Sequence, residues 1–159
     1  MNLLMGIGIG LGAVVGGYLL FMVLGTIFTG MAGRAPAGIE VDVSAPRMVR
    51  ENEPFELAVT IRDTLGRERQ LRSIDLDSSL LKGFVIESIE PVPLEPHTTL
   101  GTRVHPYDRA IPGHGLLRVL LRCRGAVRGD FEGDVTVYVD SGSFRFIAHN
   151  VRLVIRPGP

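Results

Sequence analysis

The chain of 159 residues has room for one membrane span and one ordinary domain, since single domains cluster at roughly 100 to 150 residues, and it leaves no space for a second soluble domain. Its 17 Lys+Arg balance its 17 Asp+Glu, so no global field recruits nucleic acid. Cys123 is the only cysteine, which excludes an intrachain disulfide and obliges any soluble domain to be held by its own core.

Every charged side chain lies from Arg34 onward. The stretch before it, Leu3 to Phe28, is interrupted only by Tyr18 and Thr26. At ~1.5 Å per residue this run would exceed the ~30 Å hydrocarbon core, so residues 1–33 are expected to form one transmembrane helix. A secretory signal would place basic residues before a shorter apolar stretch, and here only Met1 and Asn2 precede it. Gly8, Gly12 and Gly16 fall in one helical lane, and Gly6, Gly10, Ala13 and Gly17 in a second, opposite a bulky face of Leu4, Ile7, Leu11, Val14, Val15 and Tyr18. Glycine costs up to ~1 kcal/mol against alanine in a helix, so this density calls for close backbone approach by neighbouring helices. Those seven small residues are the candidate helix-packing interface, with other transmembrane subunits and the lipid bilayer as partners. The run Gly8-Ile9-Gly10-Leu11-Gly12-Ala13 also fits the dinucleotide pattern G-x-G-x-x-A, but no strand can precede it within seven residues. No cofactor is expected.

Arg34, Arg47 and Arg50 follow the span and no Lys or Arg precedes it, which favours the cytoplasmic side of a bacterial inner membrane for the rest of the chain, with the periplasmic side as the alternative. Residues 34–38 read as a linker. From residue 39 to 159 period-two alternation dominates. Ile39, Val41 and Val43 oppose Glu40, Asp42 and Ser44, and Phe55, Leu57, Val59 and Ile61 oppose Glu56, Thr60 and Arg62. Asp63 to Gly66 reads as a turn, followed by weaker strands near Gln70 to Asp75 and Phe84 to Ile89.

Pro91 to Gly115 contains five prolines and is expected to be an irregular, semi-rigid excursion, a candidate partner-facing segment that includes His105 and Tyr107. His97, His105, His114 and Asp108 share it, but their spacing matches no compact metal motif. Leu117, Val119, Leu121 and Cys123 then alternate with Arg118, Leu120, Arg122 and Arg124. This makes Cys123 a core residue and places Arg118, Arg122 and Arg124 on one outward face as a possible partner surface. Val135, Val137 and Val139 form the next inward set. Asp140-Ser141-Gly142 has the look of an aspartic-protease loop, yet the chain carries one copy and too little sequence after it, so a hairpin loop is expected. In the last strand Phe144 and Phe146 have one parity and Val151, Leu153 and Ile155 the other, which predicts a β-bulge near His149 and Asn150.

Seven or so short strands with no helix outside the membrane segment imply a mainly β, antiparallel sandwich. The order of elements, with a turn at Pro112-Gly113, a strand, Gly129 and two closing strands, resembles immunoglobulin-like domains tethered to bacterial membranes. The paired cysteines and the strand-C tryptophan of antibody domains are absent, so the resemblance implies architecture and no functional residue. Function is expected to be non-catalytic: an accessory or structural subunit of a membrane complex (photosynthetic, respiratory, transport or secretion). The alternative is an independent tethered binding module for a soluble ligand or peptide.

Overall fold

The computed structural model describes residues 35–140 and 145–158. They belong to one compact unit, Ala35–Pro159. The expected transmembrane helix and its glycine lanes lie outside the described residues, as do Ser141 to Phe144. Among the described residues no helix is long and apolar enough to cross a membrane.

Ten strands follow in order: β1 (Ile39–Ser44), β2 (Met48–Arg50), β3 (Pro54–Asp63), β4 (Arg69–Asp77), β5 (Phe84–Glu90), β6 (His97–Thr99), β7 (Thr102–Ile111), β8 (Leu116–Gly125), β9 (Gly129–Val139) and β10 (Phe146–Arg156). One helical turn not expected from the sequence, α1 (Ser78–Leu81), sits between β4 and β5. The strands form a four-stranded sheet, β1-β3-β8-β5, and a six-stranded sheet, β2-β10-β9-β4-β7-β6. The fold is thus a mainly β, two-sheet sandwich. Its first sheet has the A-B-E-D order of immunoglobulin domains, and β10-β9-β4 has the order G-F-C. Two features modify that plan. The chain switches sheets at Ala45-Pro46, so that β1 pairs with β3 while β2 pairs in parallel with β10. The β6-β7 hairpin is inserted between the fourth and fifth strands of the plan and extends the sheet beyond β4.

The inward faces of both sheets meet in one apolar core. Leu57, Val59 and Ile61 of β3, Val119, Leu121 and Cys123 of β8, Ile74 and Leu76 of β4 and Val135, Val137 and Val139 of β9 are all buried there. Each of these strands has one wet face, so period-two alternation in the sequence becomes inside and outside in the fold. Phe55 meets Phe84 edge-on across the first sheet, with ring centroids 5.3 Å apart. Gly133 lets α1 press against β9, because a Cβ there would fall 2.8 Å from Asp77 Cβ and 3.0 Å from Leu80 Cβ.

Two expectations are corrected. Pro91 to Gly115 is mostly a β-hairpin and not an irregular excursion. Pro106 is accommodated inside β7 because its nitrogen and carbonyl face away from β4, where the carbonyl accepts a hydrogen bond from Leu94 N–H at 2.8 Å. The missing N–H therefore costs the β4-β7 ladder nothing. The bulge expected near His149 is also absent, since β10 pairs with β9 in unbroken register from Phe146 to Ile155. Phe146 is an outer-face residue stacked at 5.5 Å on Tyr138, its cross-strand partner, and does not need to reach the core. Register shifts occur instead in β4 between Leu71 and Ser73 and in β5 between Ile86 and Ser88.

Candidate functional site

The sandwich offers two outer faces, and they differ in kind. On the four-stranded sheet the outward residues include several charges opposed in sign across strands, interspersed with Val85, Leu116 and Leu120. Glu40 faces Arg62 and Glu56 faces Arg122 in the register, while Arg124 Nε donates to Glu87 Oε1 at 2.6 Å and Arg122 lies 3.8 Å from Glu90. Arg118, Arg122 and Arg124 are exposed on this face, as their parity requires. Two of the three have a carboxylate on β5, so the arginine stripe is largely neutralised within its own sheet. Surface pairs of this kind contribute little to stability.

His105 and Tyr107, grouped with those arginines as a partner surface, are both buried at 4 % exposure. Their alternation in β7 turns them inward, against the core. Burial pushes the His105 imidazole pKa below its ordinary value, against the opposing effect of the hydrogen bond that its Nδ1–H donates to Ile74 O at 3.3 Å. Burial likewise pushes the Tyr107 phenol up to about 12, and its hydroxyl donates to Pro91 O at 3.3 Å. These two side chains tie the hairpin to the sandwich. Cys123 is fully buried with its thiol pushed up to about 12 by burial and by the Glu87 charge, which makes it an unreactive core group.

The outer face of the six-stranded sheet also carries charged pairs, Arg152 with Asp130 among them, but its centre has another composition. Tyr138 and Phe146 form its aromatic pair, Val104 and Pro106 are half-buried on β7, and Ser73, Asp75 and Thr136 occupy the centre. Asp75 stands on the middle strand β4, opposite Thr136 on one side and Val104 on the other. Its Oδ1 is shielded from solvent and has no hydrogen-bond partner. Burial pushes the Asp75 carboxyl above its ordinary value, against the opposing effects of Ser73 and the nearby His97. An apolar and aromatic field around one incompletely satisfied carboxylate is a surface that gains from being covered by a partner with a donor.

A stability test follows from the sign of that shift. A carboxyl raised in the folded state favours folding fully below its unfolded value of about 3.9, and that contribution is lost as pH rises through the folded value. The ionised group at neutral pH therefore costs stability. Asp75→Asn should melt higher than wild type near pH 7, by a few degrees at most, and the difference should vanish below about pH 4 in thermal scans.

At one end of the sandwich, where the chain enters at Ala35, a second polar cluster joins three loops. Asp63 is 1 % exposed, and its Oδ2 accepts from Arg67 N–H at 2.9 Å and His114 N–H at 3.2 Å. Burial pushes this carboxyl up, but the surrounding backbone N–H groups outweigh it and hold the pKa below its ordinary value. Arg69 Nε lies 3.9 Å from Asp63 Oδ1, its Nη1 donates to Asp140 Oδ2 at 2.7 Å, and its Nη2 donates to Ala37 O. Asp140 sits at φ 63°, with its N–H donating to Gln70 O at 2.7 Å and its Oδ1 accepting from Gln70 N–H at 3.0 Å. Both Asp140 carboxylate oxygens are thus committed to the start of β4, one to Arg69 and one to Gln70.

Of the sequence candidates, the structure places the three arginines together on one face, sends His105 and Tyr107 to the interior, and leaves Gly6, Gly8, Gly10, Gly12, Ala13, Gly16 and Gly17 outside the described residues. The histidines do not converge: His97 is on the outer face, His105 in the core and His114 in the β7-β8 loop. Asp75, Tyr138 and Phe146 were missed, because their juxtaposition needs the pairing of β4, β9 and β10.

No family model and no curated protein matches the chain. Among solved structures, the sulfur carrier protein SoxY from Chlorobium limicola f. thiosulfatophilum is 13% identical with a TM-score of 0.41, over 86% of this chain and 96% of that one. The cupredoxin domain of amoB from Nitrosocaldus yellowstonii is 11% identical with a TM-score of 0.47, over 79% and 91% respectively. A cohesin module from Clostridium perfringens is 10% identical with a TM-score of 0.45, over 76% and 100%. Likenesses this distant transfer no residue and no activity. The sandwich architecture rests on the strand pairing itself.

Proposed function

We propose that this chain is a membrane-anchored, non-catalytic accessory subunit of a larger membrane complex. Its glycine-rich N-terminal segment packs among other transmembrane helices, and its sandwich braces a neighbouring subunit through the outer face of the six-stranded sheet. The observation that carries the reading is the centre of the six-stranded sheet's outer face, where the Tyr138–Phe146 pair and the half-buried Val104 and Pro106 lie around Asp75, apart from charge pairs such as Arg152–Asp130 farther along β9 and β10. The arginines that follow the apolar segment favour the cytoplasmic side of a bacterial inner membrane. A second reading, a tethered module that recognises a soluble ligand or peptide, is favoured by the exposed apolar side chains Val92, Leu94 and Leu100 between β5 and β7.

Co-purification of the full chain in mild detergent separates the two. Gly12→Leu keeps the segment apolar and able to insert, but pushes helix backbones apart and forfeits their packing. It should stay in the membrane and lose its partners, whereas Leu11→Ile should not. Tyr138→Arg removes the aromatic anchor and should reduce partner recovery by roughly ten-fold or more, the cost of losing a central contact residue. Loss with Tyr138→Arg alone would make the helix a passive anchor and move the assignment to a tethered module that binds through the Tyr138 face instead of the segment between β5 and β7. Wild-type recovery with both variants would overturn the accessory-subunit reading.

A further inference from the structure

Among the described residues, one lateral side of the sandwich is open in both sheets. There β1 ends the four-stranded sheet and pairs, among those residues, with β3 alone. In the six-stranded sheet, β10 is covered on that side by β2 over Val154 to Arg156 alone, among the described residues. The phase of the open edge follows from two hydrogen bonds: Val154 N–H donates to Arg47 O at 3.0 Å, and Arg156 O accepts from Glu51 N–H at 2.8 Å. Even-numbered residues of β10 therefore direct their backbone groups to that side, and the N–H and C=O groups of Ala148, Asn150 and Arg152 line an uncovered edge. Between this edge and β1 runs a groove of about 630 Å³ floored by Val43, Ala45, Val151 and Val154 and flanked by Arg47. Val41 and Ile147, half-buried against the core, extend the apolar seam.

We propose that this side is a self-association surface, on which β1 of one copy of the chain adds to β10 of a second copy and the reverse pairing closes the dimer. Three observations select a second copy as the occupant. The strand that fits must be apolar toward the groove and acidic outward, beside Arg47, since Arg152 is already held by Asp130, and β1 has that pattern with Ile39, Val41 and Val43 against Glu40 and Asp42. Arg47 has no ion-pair partner among the described residues, while like edges are discouraged because two copies of β1 would set acids against acids. The directions also agree. Because β1 leads through Ala45-Pro46 into β2, which runs parallel to β10, a two-fold axis along the strands brings β1 alongside the second β10 in the parallel sense. Under that symmetry both sandwiches receive their chains at the same end, as two subunits anchored in one membrane require. The arrangement extends each sheet across the dimer and covers both edges at once, so it closes rather than propagating into a filament.

The test uses the full chain in one mild detergent, with sedimentation giving the protein mass and hydrogen exchange reporting on the β10 amides. Wild type should be a dimer when concentrated, with the Asn150 and Arg152 amides slowed by roughly ten-fold or more relative to dilute samples. Ala148→Pro deletes an N–H on the open edge without touching the β9 ladder, so the protein should remain folded, fall to half the mass and lose that protection. The double substitution Glu40→Lys, Asp42→Lys reverses the charge of the incoming strand and should do the same should the proline be poorly tolerated. Gly12→Leu should leave this dimer intact, which separates it from association through the helix and from partner loss in the accessory-subunit test. Amides at Asn150 and Arg152 that exchange equally at all concentrations would overturn the proposal, as would a dimer that vanishes with Gly12→Leu alone.

Discussion

Leu121→Ala should be among the most destabilising single truncations, costing about 2–5 kcal/mol through lost burial plus the cavity left behind. Leu121 is 1 % exposed at the middle of β8, with Leu57 of β3 and Ile89 of β5 as its cross-strand neighbours. Because β8 is a central strand, its side chain is held on both flanks and from the facing sheet, and the surroundings cannot collapse into the space without shifting a ladder. No disulfide offsets the loss. Urea unfolding should show a lower midpoint with an unchanged slope, the signature of a stability change within one cooperative unit. Leu116→Ala on the same strand removes an identical group from a 53 % exposed position and should stay within about 0.5 kcal/mol. Equal effects from the two variants would contradict the inside and outside assignment of β8.

Asp63→Ala should lower the melting temperature by roughly 10 °C or more, because one change leaves several groups without partners. The backbone N–H groups of Arg67 and His114 lose their acceptor, and Arg69, whose side chain is 15% exposed, loses one of its two carboxylates. Arg69 also holds Asp140 and Ala37, so the disturbance reaches the end of β9 and the segment before β1. Asp63→Asn keeps the shape and should be milder. The pH dependence gives an independent check with a definite sign. A carboxyl lowered in the folded state contributes stability that is present above its unfolded value of about 3.9 and is lost as pH falls through the folded value. Wild type should therefore lose stability more steeply than Asp63→Asn below about pH 4. Parallel acid profiles for the two would show that Asp63 is not ionised in the fold.

Much of the fold is legible because half-buried strands leave a period of two in the sequence. Phe55, Leu57, Val59 and Ile61, and later Val135, Val137 and Val139, alternate so regularly that their inward set could be named without coordinates. β7 resists such reading. Its inward residues are His105, Tyr107 and Ile111, mixed with Pro106 and several charges, so neither hydropathy nor strand propensity marks it. It is a strand because β4 offers it a ladder, and its proline is tolerated because the vacant nitrogen faces the edge. The bulge expected near His149 and Asn150 fails for a related reason: the change of parity between Phe146 and Val151 needs no extra residue, because Phe146 belongs outside, where Tyr138 gives it a partner.

What the sequence by itself determined is which segments could be buried: an apolar, charge-free N-terminal stretch, then strands whose alternation demands two sheets facing one core. Burial follows from transfer free energies that each residue carries with it, so it can be read locally. The tertiary structure alone decided which surfaces are left over. Whether Arg122 and Arg124 are available or neutralised depends on Glu90 and Glu87, on a strand more than thirty residues earlier. Whether Asp63 is only a turn residue or a buried hub depends on the His114 N–H, reached only when the β7-β8 loop folds over it. Asp75, Tyr138 and Phe146 share a face only because β4, β9 and β10 are adjacent. Electrostatic and hydrogen-bond satisfaction are properties of neighbours in space, and those neighbours are assigned by strand order, which no local pattern encodes.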